Sequence, residues 1–274
     1  MAPKPKYFRA FDTSWEMTDV LPEGSEDKEL VALGQKIETV RRERTVALTT
    51  QVSRDLYAER RTLASGNTWL TGFGISFATH PKPGLDVQAD ASLWTDVQFD
   101  PRDFLDMSDD PEIIGERLIA ATEDGVGKLA EFEGFPADLI RASCETFREN
   151  NYVTHFGTKK GVIEGTPLKV RLDVFIDPLT TRRDLCVLYR GKPLLSTAVT
   201  QLDQVDWNLA LSLSSLELTN KTLTYRPISQ EQLEWWHQVS PRAGAHPLYQ
   251  PVDIDLTAFP DALETMIDKG WIKN

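Results

Sequence analysis

Two polar side chains in the middle of the chain could supply acid–base chemistry. His155 follows Thr154 in a short segment where polar and apolar residues alternate, which favours a side chain that faces water. Asp173 lies in the segment 170–177, where the same alternation predicts a strand with one apolar face. Histidine is the side chain most often used for proton transfer, and aspartate is another. His155 and Asp173 are therefore the candidate catalytic residues.

Motifs for a metal or a nucleotide are missing from the sequence. Its four histidines and two cysteines form no H-x-x-x-H, H-x-H or C-x-x-C pair. Gly127-Lys128 resembles the end of a phosphate-binding loop, but Thr122 and Leu129 occupy the positions of its first glycine and its hydroxyl residue. We therefore expect no metal and no cofactor. Cys144 and Cys186 lie in apolar patterns and are expected to be buried hydrophobic residues.

Acidic residues are concentrated in one segment of a chain whose formal net charge is −12. Between Asp100 and Glu133 there are eleven acidic residues and three basic ones. Such a surface disfavours nucleic acid, which needs clustered Lys and Arg, and favours a basic protein partner. Acidity also keeps many proteins soluble, so the alternative that the charge serves only solubility stays open. The candidate partner contacts in this segment are Asp103, Asp106, Asp109, Asp110 and Glu112.

A tryptophan pair supplies one more candidate contact. Trp235 and Trp236 fall in a predicted helix over residues 229–239, where adjacent side chains diverge by about 100°. One of them can therefore enter the core while the other faces solvent. Trp235 is the candidate partner contact, because Trp is enriched at binding hot spots. The alternative is that these residues only fix the helix to a sheet.

The helices are predicted mainly from their starting signals. Ser25 is expected to cap a first helix, and Asp110-Pro111 and Pro136 mark the starts of later ones. Beyond Arg44, the β-branched run 45–52 favours a strand, although no Gly or Pro interrupts residues 35–65 and one long helix is the alternative.

The strands are predicted from alternation and turn residues. Residues 69–77 and 85–93 are expected to form a hairpin, and residues 152–226 an antiparallel meander with short turns. Strands and helices in separate runs indicate an α+β fold, with a mainly antiparallel sheet and helices packed on one face. Residues 1–274 are expected to form a single domain, with a subdivision near residue 110 as the alternative.

These features favour a binding protein over an enzyme. The leading hypothesis is a non-enzymatic acidic binding protein, such as an inhibitor or immunity-type protein that neutralises a basic toxin. The first alternative is a hydrolase or transferase whose site combines distant residues, and the second is a structural or adaptor subunit of a larger assembly. The N-terminus lacks the apolar core of a signal peptide, and no apolar run reaches the roughly 20 residues of a membrane span. We therefore expect a cytoplasmic protein with no membrane contact.

Overall fold

The structure, a computed structural model, describes residues 6–22, 26–157, 161–202, 215–239 and 249–272. It has an α+β fold in which most strands are antiparallel, as predicted. Packing of the helices on one face stays a prediction. The chain divides into two compact units, one formed mainly by residues up to Thr154 and the other mainly by residues from His155 onwards. Residue 110 lies inside the first unit.

The N-terminal unit begins with strands and a long helix and ends with a run of helices. In chain order its elements are β1 (Ala10–Trp15), α1 (Lys28–Glu59), β2 (Leu63–Ser65), β3 (Thr68–Leu70), β4 (Gly72–Ala78), β5 (Asp86–Val87), β6 (Ser92–Gln98), α2 (Asp103–Asp106), α3 (Pro111–Leu129) and α4 (Ala137–Glu149). The predicted starts of α3 and α4 are confirmed. Asp110 caps α3 by accepting the Glu112 N–H at 2.9 Å.

The main sheet of this unit has the order β1-β4-β6-β5, and β4 pairs in parallel with both β1 and β6. The hairpin predicted for residues 69–93 is therefore wrong. Only the short strand β5 runs antiparallel to β6. Residues 79–91 cross over and bring Ser92–Gln98 into parallel register with Gly72–Ala78. The alternation of residues 85–93 resembles a returning strand, but it does not show which strand they pair with.

Helix α1 is continuous from Lys28 to Glu59, so the prediction of a helix followed by a strand is wrong. Its N-cap is Asp27, and the predicted cap Ser25 lies outside the described residues. The β-branched residues lower helix propensity only by tenths of a kcal/mol each. Leu48, Val52 and Leu56 are buried at helical spacing, and their burial outweighs that local preference.

Side chains of α1 cover the free edge of β1. Ser53 accepts the Phe11 N–H at 2.9 Å and donates to the Phe11 carbonyl at 3.4 Å. Arg41, only 5% exposed, donates to the Thr13 carbonyl at 2.5 Å and makes a two-point ion pair with Glu38. Backbone groups at a strand edge would otherwise be available to another chain. The buried arginine therefore has a structural role.

The C-terminal unit is mainly antiparallel sheet. Its elements are β7 (Thr154–Gly157), β8 (Gly161–Val162), β9 (Lys169–Ile176), β10 (Thr181–Tyr189), β11 (Lys192–Leu202), β12 (Ser215–Thr219), β13 (Thr222–Arg226), α5 (Gln230–Val239), β14 (Val252–Asp255) and α6 (Pro260–Asp268). One sheet has the order β11-β10-β9-β7, with β8 also on β9, and the other has the order β12-β13-β14. The predicted meander is thus present, divided between two sheets.

Local signals place the turns and helix ends of this unit. Arg190 and Gly191 both have positive φ in the two-residue turn between β10 and β11, a conformation typical of tight hairpins. Ser229 and Gln232 form the reciprocal capping contacts predicted for the start of α5. Gly270, with φ +69°, follows the end of α6.

Candidate functional site

Three of the five acidic residues predicted as partner contacts are engaged within the protein. Asp103 forms an ion pair with Arg117 at 2.7 Å, and Asp109 forms one with Arg44 at 2.8 Å. Asp110 caps α3. These contacts reduce the local negative charge and fix the segment that leads into α3.

The other two predicted contacts, Asp106 and Glu112, are exposed. Asp106 ends α2, and Glu112 lies in the first turn of α3. Glu112, Glu116 and Glu123 are spaced by four and seven residues, which places them along one side of α3. That side of α3 therefore carries three carboxylates, whereas in the loop before the helix Asp109 pairs with Arg44 and Asp110 caps the helix.

This side of α3 is contacted by Arg148 of α4 and by Tyr152, which follows α4. Arg148 donates to both carboxylate oxygens of Glu116, at 2.6 and 3.0 Å, and to Glu145 at 2.6 Å. The Tyr152 hydroxyl donates to Glu116 at 2.7 Å. We call Glu112, Glu116, Glu123 and Glu145 the acidic face of α3 and α4. Arg148 is the cation bound within it.

Two residues beside the acidic face have raised pKa values. The pKa of Tyr152 is raised, first by its hydrogen bond to Glu116, then by burial and by the charges of Glu116 and Glu112, while the charge of Arg148 opposes the shift. The pKa of Cys144 is raised to about 12, mainly by burial and then by the charges of Glu123 and Glu145, again against the charge of Arg148. The carboxylates of the acidic face therefore contribute to both shifts. Cys144 is buried, as predicted.

His155 and Asp173 are brought together by neighbouring strands. His155 Nε2 on β7 lies 3.6 Å from Asp173 Oδ1 on β9, a separation longer than a hydrogen bond. The His155 side chain is 52% exposed and stacks on Phe175, with ring centroids 4.5 Å apart. Asp173 is mostly buried and pairs with Arg171, whose Nη2 donates to Oδ2 at 2.8 Å. The sequence predicted both residues but not their contact.

This pair could orient a histidine for proton transfer, but the nearby thiol is poorly suited as a nucleophile. Cys186 on β10 is 3% exposed. Burial raises its pKa, and the charge of Asp173 adds to this while Arg171 opposes it. A nucleophilic thiol needs a lowered pKa and access to substrate. The arrangement therefore fits a general base better than covalent catalysis.

Trp235 is 54% exposed on α5, and Val239, one turn later, is 55% exposed. Leu233 is the buried apolar residue of this helix within its described part. The side chain of Trp236 lies outside the described residues. The exposure of Trp235 fits the partner-contact interpretation better than the one in which it fixes the helix to a sheet.

No protein-family model, curated protein or solved structure matches this chain. Within the described ranges, no group of three or more His, Cys, Asp or Glu side chains is arranged to hold a metal ion. Each helix in those ranges is too short or too polar to cross a bilayer. We therefore infer function from the geometry of these side-chain clusters.

Sequence reasoning missed several residues of these clusters. Glu116 and Glu123 were counted in the acidic segment but were not singled out, although their helical spacing from Glu112 is a readable signal. Glu145 lies outside that segment, and its place beside α3 depends on helix packing. Trp94, which lines two polar cavities of the N-terminal unit, was also missed. Its environment depends on strand register.

Proposed function

We propose that this protein is a non-enzymatic binding protein that recognises a basic protein through the acidic face of α3 and α4. Its role would be that of an inhibitor or immunity-type protein, which covers the active surface of a basic partner such as a toxin. The observation that carries the proposal is the acidic face itself, in which Glu116 and Glu145 bind Arg148 and Glu112 and Glu123 are exposed carboxylates on the same side of α3 as Glu116.

The charge of the two helices supports this proposal. Residues 111–149 contain nine acidic and four basic residues. A negative surface of this kind speeds association with a basic partner through long-range steering and disfavours acidic competitors. Glu112 takes part in the acidic face, and Asp106 remains a candidate contact on α2. Asp103 and Asp109 pair with arginines and Asp110 caps α3, so we expect them to contribute less to binding than the exposed Glu112 and Glu123.

Trp235 is kept as a separate candidate contact on α5. An exposed aromatic side chain adds apolar contact area, which charged residues alone do not supply. Its contribution is expected mainly in the dissociation rate, whereas the acidic face acts mainly on the association rate.

The test compares two triple variants that change the net charge equally. One neutralises the acidic face with Glu112→Gln, Glu123→Gln and Glu145→Gln. The other neutralises exposed acids of α6 with Asp261→Asn, Glu264→Gln and Asp268→Asn. Proteins captured from the native cell by the wild type are identified, and the affinity of the purified partner is measured by calorimetry at two salt concentrations.

We expect the acidic-face variant to bind the partner more weakly by on the order of tenfold or more at low salt, with a smaller salt dependence. The α6 variant should bind like the wild type. Equal weakening in both variants would mean that net charge alone attracts the partner. A partner that is not basic, or one that keeps its activity in the complex, would also contradict the proposal.

A hydrolase or transferase is the second candidate function, and the contact between His155 and Asp173 favours it. In this proposal His155 acts as a general base and Asp173 orients it. The wild type and His155→Ala are assayed against ester, amide and phosphate-ester substrates, with Trp235→Ala as the control. Loss of a general base should lower the rate by about 100-fold or more. An activity that survives His155→Ala would exclude this role.

A further inference from the structure

One face of the parallel sheet in the N-terminal unit contains mainly small and polar side chains. The strand registers align two rows across β1, β4 and β6: Asp12, Gly74 and Trp94 in one, and Ser14, Ser76 and Asp96 in the other. The opposite face contains the buried residues Phe73, Ile75 and Phe77 of β4. The polar face therefore does not serve the apolar core.

Trp94 lies flat on this polar face. A Cβ atom on Gly74 would be 2.4 Å from each of three ring atoms of Trp94, namely Cδ2, Cε2 and Cζ2. Because these three distances are equal, the Cβ position of Gly74 lies over the face of the indole ring and not beside its edge. The absence of a side chain at Gly74 thus allows the ring to rest on the strand, and its other face points away from β4.

The orientation of the ring is fixed by a chain of hydrogen bonds. Trp94 Nε1 donates to the Ser92 hydroxyl at 2.6 Å, and that hydroxyl donates to Asp90 at 2.5 Å. Asp90 also accepts the Ser92 N–H at 3.0 Å. An aromatic ring held in this way loses little conformational freedom when a ligand stacks on it. It is a preorganised binding surface.

Two polar cavities meet at Trp94. One, of about 370 Å³, is lined by Ser14, Ser76, Lys82, Gln88 and Asp96 among others. The second, of about 350 Å³, lies along β1 and α1 and includes Asp12, Arg42 and Thr49. Both volumes fall in the range of small-molecule pockets, roughly 300–1,000 Å³. Together they provide a ring to stack on and polar groups on both sides of it.

We infer that this face binds a small polyhydroxylated ligand, a mono- or disaccharide, stacked on the indole of Trp94. The C–H groups of a sugar ring can pack on the flat aromatic surface, which buries apolar area. Its hydroxyls require both acceptors and donors. Asp96 accepts the Lys82 backbone N–H at 2.9 Å and Gln88 donates to Asp86 at 2.7 Å, while the Lys82 ammonium pairs with Glu16. A carboxylate has a second oxygen, an amide has a second N–H and an ammonium has three, so Asp96 and Ser76 can accept from a ligand and Lys82 and Gln88 can donate to it.

The charges of the larger cavity argue against an anionic ligand. Among the described residues, Glu16, Asp86 and Asp96 line it together with one cation, Lys82, which pairs with Glu16 at 3.1 Å. A phosphate or carboxylate would meet net negative charge there. A purely cationic ligand would leave the donors Lys82 and Gln88 unused. A neutral polyol uses both kinds of group.

The test titrates the full chain with glucose, galactose, N-acetylglucosamine and maltose by isothermal titration calorimetry. Choline and inorganic phosphate are the cationic and anionic comparisons. We expect at least one saccharide to bind, and Trp94→Ala to weaken that binding by on the order of tenfold. Ser92→Ala should weaken it less, because the ring remains but loses its anchor. Tyr57→Ala, which removes an exposed aromatic side chain of α1 that lines neither cavity, should have no effect.

Three results would overturn the inference. They are binding of none of the four saccharides, tighter binding of choline or phosphate than of any saccharide, and saccharide affinity that is unchanged in Trp94→Ala. Near-ultraviolet circular dichroism of each variant checks that the protein is folded. Should Trp94→Ala fail to fold, Asp96→Asn and Ser76→Ala provide the same comparison, since each removes one polar partner and leaves the ring in place.

Discussion

The parallel sheet of the N-terminal unit and the antiparallel sheet of the C-terminal unit reach their structures by different routes. β1 ends at Trp15 and its partner β4 begins at Gly72, whereas β10 and β11 are joined by a two-residue turn. The parallel pair therefore depends on contacts between distant parts of the chain, and the hairpin on local turn residues. Pairing that a local turn determines can be predicted from the sequence, whereas pairing between distant segments cannot.

The polar faces of the two sheets also differ. In the C-terminal sheet, charged residues pair on the same strand, as Arg171 does with Asp173 and Arg182 with Asp184. In the N-terminal sheet, the corresponding face leaves two polar cavities beside an aromatic ring. In the first arrangement the charged groups pair along one strand, whereas in the second the polar groups line cavities beside the ring, although Lys82 still pairs with Glu16. A polar sheet face is thus informative about binding only when its side chains leave a cavity.

The largest effect expected from this comparison concerns the edge of the parallel sheet. Arg41→Met removes a buried cation that binds the Thr13 carbonyl and Glu38, and should lower the free energy of unfolding by about 3 kcal/mol. Arg42→Met is the matched control. Arg42 pairs with the same Glu38 but is largely exposed, so its loss should cost less than about 1 kcal/mol. Urea denaturation measures both.

A similar cost for the two arginine variants would show that covering the edge of β1 contributes little to stability. The stability of β1 would then come mainly from its backbone pairing with β4. A large difference between the two variants in unfolding free energy would show that side chains of α1 stabilise the parallel sheet in addition to its own strand pairing.

The features that could be predicted from the sequence are the ones with local causes. The Asp110-Pro111 start of α3, the capping contacts of Ser229 and the Arg190-Gly191 turn each depend on a few adjacent residues. The continuity of α1 and the parallel pairing of β4 could not be predicted, because burial by distant residues decides them. The same holds for the candidate sites. Helical spacing indicates Glu116, whereas Trp94 acquires its role only from the register with Gly74.

The second prediction concerns two glycines, one in each sheet. Gly74→Ala places a methyl group against the ring of Trp94 and should cost about 2 kcal/mol of unfolding free energy. Gly157→Ala on β7 meets mainly the flexible side chain of Arg171, with Cδ at 2.9 Å, and should cost less than about 1 kcal/mol. The double variant Gly74→Ala, Trp94→Ala should recover most of the loss. Additive costs, measured by urea denaturation, would contradict the stacked ring.

The smallest effect expected is a difference in acid stability between the two units. Among the groups with resolved shifts, Glu16, Glu38, Asp90 and Glu116 of the N-terminal unit have lowered pKa values, and Glu43 has a raised one because it is buried. In the C-terminal unit the corresponding carboxylate is Asp255, whose pKa is lowered by hydrogen bonds from Thr257. Hydrogen bonds from Thr18, Ser92 and Arg148 are the main cause of the lowering at Glu16, Asp90 and Glu116 respectively. At Glu38, burial opposes the larger combined effect of Arg41 and Arg42.

A carboxylate with a lowered folded-state pKa contributes stability above its unfolded pKa, and this contribution is lost as the pH falls through the folded value. With ordinary values of 4.5 for Glu and 3.8 for Asp, the loss begins near these values and continues below them. Glu43, whose pKa is raised, has the opposite effect on the pH dependence of stability, but four described carboxylates of the same unit have lowered pKa values. Peptides from β4 and β6 should therefore lose protection from hydrogen exchange at a higher pH than peptides from β9 and β10. Mass spectrometry of exchange between pH 6 and pH 3 measures this order, and loss of protection first in β9 and β10 would show that lowered carboxylate pKa values do not control the acid response of the parallel sheet.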